Sequence, residues 1–555
     1  MNVHEAGIDR PARSFPRSLG FVALGILLAS AVAYTPVRHA TYIWDDDQYV
    51  THNETLRTLA GLRDIWTDAY ATPQYYPLVH TSYWLEYRLW QLDPLGYHVD
   101  NVLLHALGSL LLVLVLRRLD VPGAALAGFA FALHPVHVES VAWITERKNV
   151  LSGVFYFGAI LAYLRAVAPA VPSVAPVARR WYYASLALFV AALLSKSVTV
   201  TLPVALLLIL RWRRGMRLAR AEWAPLVPFL AVGGIMAGVT TWLERTHVGA
   251  AGAEWQLVWA DRCVIASRAI WFYLSKLVWP WPLTFIYPRW DVTFTSGANP
   301  LWPLSIVVVA AALWKLRGRW RDGALLIACL FTVTLSPALG FVDFYPMRYS
   351  FVADHFQYLA SAAPLAGLAS LLARWFARSP SEPIRALGAA IVAAWLAVLG
   401  GTTWQQAHVY RDAATVWRDT LAKNPAAWIA HLNLGSMDVG AGRVEDATRR
   451  FEEVLRLKPD EAIAHSNLSV MRTTAGDFAA AEAHARRAIE IDPALLGARV
   501  NLAIALEGQG RVDEAVQEYL AILARHPNYG EAASRLKQLL RRTNQSIVLP
   551  PPANP

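Results

Sequence analysis

Apolar runs of near-spanning length fill the first 403 residues and leave little room for a water-soluble fold. They lie near 18–37, 97–116, 121–133, 150–166, 181–194, 197–211, 223–243, 300–314, 323–340, 357–373 and 386–403. A straight helix needs about 20 apolar residues to cross a bilayer, so the shorter runs must draw on flanking residues. Composition agrees. Hydrophobic residues make up 55% of the 555-residue chain and charged residues 17%, against roughly 25% charged in a soluble domain. No soluble protein of this size could cover so much apolar surface. The 23 Trp and 21 Tyr suit aromatic belts at membrane interfaces. Two cysteines, Cys263 and Cys329, exclude a disulfide scaffold and a cysteine metal site. The first run lacks a convincing cleavage site and reads as a retained span.

Basic clusters orient the spans, because Lys and Arg accumulate on the cytoplasmic side. They are Arg10/Arg13/Arg17, Arg117/Arg118, Arg165/Arg179/Arg180, Arg211 to Arg220, Lys315/Arg317/Arg319/Arg321 and Arg374/Arg378/Arg385. All fall on one side if the segment 261–280, with Arg262, Arg268 and Lys276, does not cross. That segment is then an interfacial or re-entrant helix. The expectation is an all-α membrane domain over 18–403, with about eleven spans plus one interfacial helix. A cytoplasmic N-terminus covers 1–17, and everything after 403 lies outside the membrane on the opposite face.

After residue 404 the pattern changes to a 34-residue repeat. Pro425, Pro459, Pro493 and Pro527 keep that spacing, as do Ala413, Ala447, Ala481 and Ala515. Asn433, Asn467 and Asn501 follow it, each preceding a Leu, and so do Gly442, Gly476 and Gly510. This is the period of the tetratricopeptide repeat, a helix–turn–helix unit. The small Ala lets two helices approach, the Gly ends the first helix and the Pro stops the second. Leu434, Phe451, Leu468, Leu502 and Tyr519 are expected to bury the seams. The solenoid is placed at 404–542, with full repeats over about 428–529, a capping helix at each end and a Pro-rich, disordered tail at 543–555. Such a solenoid presents a concave surface for peptides or proteins.

The net charge of +10 could suggest nucleic acid, but its placement says otherwise. From residue 404 onward 18 basic residues balance 18 acidic ones. The whole excess lies in the membrane part, mostly in the clusters that orient it. No nucleic-acid partner is expected.

The polar chemistry gathers in the outer loops. The longest, about 38–96, opens with Tyr42-Ile43-Trp44-Asp45-Asp46-Asp47-Gln48-Tyr49-Val50. Crowding and partial desolvation raise a carboxylate pKa, which suits a general base. A solvated acidic turn or a helix N-cap is an equal alternative, and a calcium loop is a third with the wrong spacing. The next loop runs from His134 to Asn149, HPVHVESVAWITERKN. His134, His137 and Glu139 match no zinc signature and are better placed to orient substrate or the acidic loop. Arg147 and Lys148 can attract a phosphate at the membrane edge or anchor headgroups by snorkelling. Lys196 and Arg348 are further outward cations, and membrane-edge charges of this kind are functional candidates. Asp354 and His355 follow Arg348 in the same segment.

With these residues the chain resembles the bacterial relatives of the transmembrane-and-TPR O-mannosyltransferase-like proteins, of the GT-C class of polyprenyl-phosphate-sugar-dependent glycosyltransferases. The stretches that carry the likeness are Trp44 to Val50, Tyr76-Pro77-Leu78, His134 to Lys148 and the repeats. The resemblance implies a GT-C fold and an Asp-Asp or Asp-Glu motif whose first member is the catalytic base. That maps onto Asp45, with Asp46 as second member, although three adjacent Asp leave the register open by one. The family's segment after the tenth span carries paired Arg-Tyr. Here Arg348-Tyr349 is followed by Asp354-His355 instead, a departure from the pattern. A hexose, such as mannose, would pass from a polyprenyl-phosphate carrier to a Ser or Thr hydroxyl of an exported protein held by the repeats. Arg147, Lys148, Lys196 and Arg348 would stabilise the leaving phosphate. No cofactor is expected, and divalent-metal dependence stays open. The implied location is a bacterial inner membrane, with membrane lipids around the spans and the repeats periplasmic or extracellular. Two other classes compete. A non-catalytic membrane-anchored repeat scaffold has no need of the polar loops. A lipid-linked-sugar transporter places its charges near the midplane, often in related halves, which the spans do not show.

Overall fold

The structure, a computed structural model, describes residues 17–167, 175–214, 220–249, 255–316, 323–379 and 381–543. The N-terminal segment, several of the orienting basic residues and the Pro-rich tail lie outside the described residues. All the helices and turns described are helical in type, and no strand occurs among the described residues. The chain forms two compact units, 1–416 and 417–555.

The first unit begins with α1 (Arg17–Ala33), whose end leads into the acidic turn. Two short helices follow, α2 (Leu59–Thr67) and α3 (Pro77–Trp90), and then the long α4 (Pro94–Arg118). Next come α5 (Ala124–Leu133), α6 (Val138–Ala142), α7 (Arg147–Ala166), α8 (Ala175–Leu193) and α9 (Leu202–Arg214). The rest are α10 (Arg220–Trp223), α11 (Val227–Leu243), α12 (Trp259–Val278), α13 (Leu301–Lys315), α14 (Gly323–Leu335), α15 (Ala362–Arg378) and α16 (Glu382–Ala407). Four stretches among the described residues are long and apolar enough to cross a membrane: Pro94–Arg118, Ile144–Ala166, Ala224–Val248 and Glu382–Arg411. A fifth arises if the pair Ala124–Leu133 and Pro135–Ala142, bent by 55°, is one span. Apolar helices at Leu19–Ala33, Leu301–Lys315 and Gly323–Ala338 fall short of that length. Eleven apolar runs thus translate into fewer full-length helices, because prolines and polar turns interrupt them. Ile235, Val307 and Leu387 project outward, as hydrocarbon surroundings require.

The bend after α5 explains much of the polar sequence around it. A helix end leaves its last carbonyls without intrahelical partners, and here side chains from elsewhere supply them. His137 Nδ1 bonds to Phe131 O at 2.7 Å, His105 Nε2 to Ala132 O at 3.1 Å, and Thr403 Oγ1 donates to Leu133 O at 2.7 Å. His134 Nε2 bonds to Leu277 O at 3.0 Å, tying the bend to the end of α12. Residues 130–150 are all buried. The stretch expected as an outer loop therefore runs inside the unit, with its histidines on backbone carbonyls and its charged groups paired with other side chains.

Helix α12 is tied to the rest of the unit near both ends. Near its start Arg262 donates to Gly340 O (2.8 Å) and to Asp343 (2.7 Å). Just past its end Phe285 packs on Trp44 and Trp143. Trp259, Trp279 and Trp281 at its ends are exposed, in the manner of interfacial aromatics. Along it, Ala269, Tyr273 and Leu277 join Leu335, Leu339 and Val352 in one apolar cluster. The turn after α16 is tied to the acidic loop, where Thr41 N–H donates to Arg411 O at 2.8 Å.

In the second unit the 34-residue period becomes three helix pairs: α18 (Trp428–Gly440) with α19 (Val444–Leu457), α20 (Ala462–Thr474) with α21 (Phe478–Ile491), and α22 (Leu496–Gly508) with α23 (Val512–Arg525). They are preceded by α17 (Ala413–Lys423) and followed by α24 (Gly530–Thr543). Each first helix ends in the same way. Gly442, Gly476 and Gly510 have φ of +74°, +79° and +76°, a region where a Cβ is strained. The Gly N–H and the next N–H then reach back, as in Gly476 N to Thr473 O (3.0 Å) and Asp477 N to Arg472 O (2.9 Å), which is a Schellman cap. Ala447, Ala481 and Ala515 are fully buried between paired helices, and Leu434, Phe451, Leu468, Leu502 and Tyr519 are buried in the seams.

Candidate active site

The acidic turn after α1 is held in a costly backbone conformation. Trp44 has φ of +43°, a left-handed value that is an outlier for a bulky side chain and costs about 1–3 kcal/mol. Its ring offsets that cost. It stacks on Trp143 (centroids 5.7 Å apart, planes at 10°) and meets Phe285 at 5.3 Å and Tyr349 at 5.6 Å edge-on.

The three aspartates that follow have different surroundings. Asp46 is fully buried. Its Oδ2 accepts from Ile43 N–H (2.8 Å), and its Oδ1 from both the N–H (2.8 Å) and the hydroxyl (2.6 Å) of Thr145. It bolts the acidic turn to the turn that precedes α7. Burial pushes its carboxyl up to about 7, against those three hydrogen bonds. Asp47 is exposed. Asp45 lies between, half-buried. Its main-chain carbonyl accepts from Gln48 and Tyr49 N–H, which turns the backbone away from the side chain. Burial pushes the Asp45 carboxyl up to about 6, with Lys148 opposing and Glu146 and Asp47 adding to the rise. Burial, more than crowding of like charges, dominates for both residues.

Beside Asp45 lies a buried charge cluster centred on Glu146. Lys148 Nζ is 3.0 Å and Lys196 Nζ 3.1 Å from its carboxylate. Asn149 donates to Glu146 Oε2 (2.5 Å) and accepts from Lys196 Nζ (2.8 Å). Lys148 Nζ sits 5.3 Å from the Tyr49 ring centre and 6.0 Å from that of Trp143. Burial draws the Lys196 amine down to about 8, against the pull of Glu146. Two lysines thus share one carboxylate at the edge of the Asp45 turn. Glu139 reaches the same cluster through His355, whose Nδ1 is 3.0 Å from Glu139 Oε1 and whose Nε2 is 3.9 Å from Glu146 Oε1.

The other candidates from the sequence lie elsewhere. Arg147 is fully buried and turned away from Asp45. Its Nε donates to Asn101, its Nη1 to Glu86 (2.5 Å) and Ser82 (3.3 Å), and its Nη2 to Tyr97 O (2.9 Å). His134 and His137 serve the bend after α5, and the far side of His137 meets Ser361 Oγ at 2.8 Å. Arg348 is one aromatic layer from the site: its Nη1 donates to Tyr345 Oη (2.7 Å), and it lies 5.6 Å from the ring of Tyr349, which packs on Trp44. Tyr76, from the YPL stretch, places its hydroxyl 3.5 Å from Ser197 Oγ, next to Lys196. Trp44, Glu146 and Asn149 are not singled out as site residues by the sequence, and His355 appears there only in the Asp354-His355 departure after Arg348. Glu146, the N-cap of α7, and Asn149 in its first turn stand three apart, a spacing that puts two side chains on one face. That was the available signal. Among the described residues no group of three or more His, Cys, Asp or Glu is arranged to hold a metal.

Comparison with known proteins follows the same division. Tetratricopeptide-repeat models match residues 404–437, 438–495 and 473–542. The chain is 30% identical to human Protein O-mannosyl-transferase TMTC3 over 138 residues, 23% of this chain and 15% of that protein. It is 32% identical to Drosophila melanogaster Protein O-mannosyl-transferase Tmtc1 over 215 residues, 36% of this chain and 24% of that one. The matches thus span a quarter or less of the length of these relatives. A solved structure, ArnT from Cupriavidus metallidurans bound to undecaprenyl phosphate, aligns over 91% of this chain and 81% of its own, at 16% identity and a TM-score of 0.36. That score carries no argument about fold or ligand. Repeats, membrane-length helices and sequence likeness together make this chain an all-α membrane protein similar to the TMTC protein O-mannosyl-transferases, with C-terminal tetratricopeptide repeats.

Proposed function

We propose that the protein is a GT-C-type membrane glycosyltransferase that moves a hexose, such as mannose, from a polyprenyl-phosphate carrier to a hydroxyl acceptor. The observation that carries this reading is Asp45. It is a half-buried carboxylate with a raised pKa, its side chain makes no hydrogen bond among the described residues, and it lies in the field of the buried Lys148, which shares Glu146 with Lys196. A base needs such a poised, open carboxylate, and a phosphate leaving group needs such cations. The names of the TMTC relatives support mannose as the sugar and protein as the acceptor. The repeat unit offers a surface suited to that acceptor, a Ser or Thr of an exported protein, with transfer on the outer face of a bacterial inner membrane.

In this reaction Asp45 takes the proton of the acceptor hydroxyl. The oxygen attacks the anomeric carbon with inversion, the bond from that carbon to the phosphate oxygen breaks, and its electron pair leaves with the phosphate. Lys148 and Lys196 receive that charge, and Arg348 supports it from behind Tyr349. Asp46 orients the turn and does not exchange protons. Arg147, His134 and His137 take no part, since their donors are spent on Glu86, Asn101 and backbone carbonyls. The test is Asp45→Asn, purified and given a polyprenyl-phosphate hexose and a Ser/Thr peptide. Transfer should fall by at least a thousandfold with an unchanged melting temperature. Full activity in this variant would show that Asp45 is not the base.

A further inference from the structure

His355 is bound to the charge cluster more closely than a packing residue requires. One carboxylate holds its backbone and lies against its ring: Glu139 Oε2 accepts from the His355 N–H at 3.0 Å, and Glu139 Oε1 lies 3.0 Å from Nδ1, out of line for a hydrogen bond. Its carbonyl accepts from Asn149 Nδ2 at 3.2 Å, the amide that also contacts Glu146. Phe356 and Trp143 meet the ring edge-on at 4.4 and 6.0 Å. Nδ1 lies beside Glu139 without a hydrogen bond, and Nε2 is the ring atom on the Glu146 side. It faces Glu146 Oε1 at 3.9 Å, too far for a hydrogen bond. Lys148 and Lys196 reach the same carboxylate at 3.0 and 3.1 Å. Three nitrogens from three separate segments therefore converge on one internal carboxylate.

We propose that His355, aligned by Glu139, is a third group on the donor phosphate, donating a hydrogen bond from Nε2 to a phosphate oxygen while Lys148 and Lys196 hold the others. Glu146 holds these three donors together until the phosphate arrives beside it. This rests on the donor reading given above. Glu139 is the positioning residue, acting through His355. The Asp-His pair that replaces a second Arg-Tyr after Arg348 thereby gains a role: the imidazole supplies the donor.

The experiment uses the full-length protein in lipid nanodiscs, with farnesyl phosphate and farnesol as probes and the quenching of tryptophan fluorescence as readout. His355→Gln should weaken farnesyl phosphate binding roughly ten- to hundredfold, the range of one charge-assisted hydrogen bond, and leave farnesol binding unchanged. His355→Lys, which restores a cation without an imidazole, should recover much of the loss. Glu139→Gln should shift phosphate binding in the same direction by a smaller factor. Wild-type phosphate affinity in His355→Gln overturns the proposal, and so does an equal loss of both probes that Lys does not rescue. If Lys148→Ala and Lys196→Ala also bind farnesyl phosphate like the wild type, the donor reading itself fails. If those two lose binding and His355→Gln does not, only the role of His355 fails.

Discussion

Arg147 is the residue for which sequence and structure point in the most different directions, and its assignment can be tested through stability. Its guanidinium pairs with Glu86 at 2.5 Å, with both side chains almost fully buried, and further donates to Asn101, Ser82 and Tyr97 O. Replacing Arg147 by Met leaves Glu86 as a buried carboxyl without its partner, one that burial already pushes up to about 8. Breaking a buried pair in this way costs about 3–5 kcal/mol, and orphaning the Tyr97 carbonyl and the Asn101 amide adds about 1 kcal/mol each. Arg147→Met should therefore destabilise the membrane unit by roughly 5 kcal/mol or more. The second change, Glu86→Leu, removes the stranded carboxylate. Exchanging both members of a buried pair for apolar residues is often neutral, so the double variant should recover at least about 3 kcal/mol relative to Arg147→Met. The assay is a double-mutant cycle by thermal or denaturant unfolding in detergent, followed by transfer activity of whichever variants fold. The double variant should be both stable and active. A double variant that is stable yet has lost binding of the donor phosphate would refute this reasoning, because it would place Arg147 on the ligand.

Two further predictions follow from the local chemistry. The Asp45 carboxyl, held up to about 6 chiefly by burial, must be ionised to act as a base, so kcat/KM should rise with pH through an acid limb near pH 6 and fall again above about pH 8, where Lys196 loses its proton. A limb near pH 4, the value for an ordinary exposed aspartate, would mean that another group limits the rate. In the second unit, Gly476→Ala places a Cβ at φ of +79° and should destabilise the repeats by about 1–2 kcal/mol, read as faster hydrogen exchange across α20 and α21 in the full chain.

Legibility differed sharply between the two parts. The repeat unit could be read almost residue by residue, because a solenoid is built from nearest-neighbour contacts. A Gly that ends a helix, an Ala where two helices touch and a Leu in the seam act over a few residues. Periodicity alone therefore marked Gly476, Ala481 and Leu468. The all-helical class of the membrane unit was equally readable, since a bilayer forces every backbone group into an internal bond.

The site was legible only in its materials. The acidic turn, the polar run before α7, Lys196 and the segment after Arg348 all announce themselves as charges near apolar helices, where charge is expensive. Composition could not say which of them face a ligand and which repair the fold. Arg147 and Lys148 are neighbours in the chain, yet on a helix adjacent residues point about 100° apart. One turns to Glu86 and the other to Glu146. His137 and His355 carry the same side chain, but one caps the broken end of α5 and the other lies against Glu139 and Glu146. Asp45 and Asp46 differ only in which of them finds Thr145. Sequence by itself determined the membrane character, the helical class, the repeat register and the set of polar residues for which a buried position had to be justified. Only the tertiary structure decided which partners each of them takes. The roles depend on partners that stand tens to hundreds of positions away, and on whether a donor still has an unmet hydrogen bond once the backbone has been served.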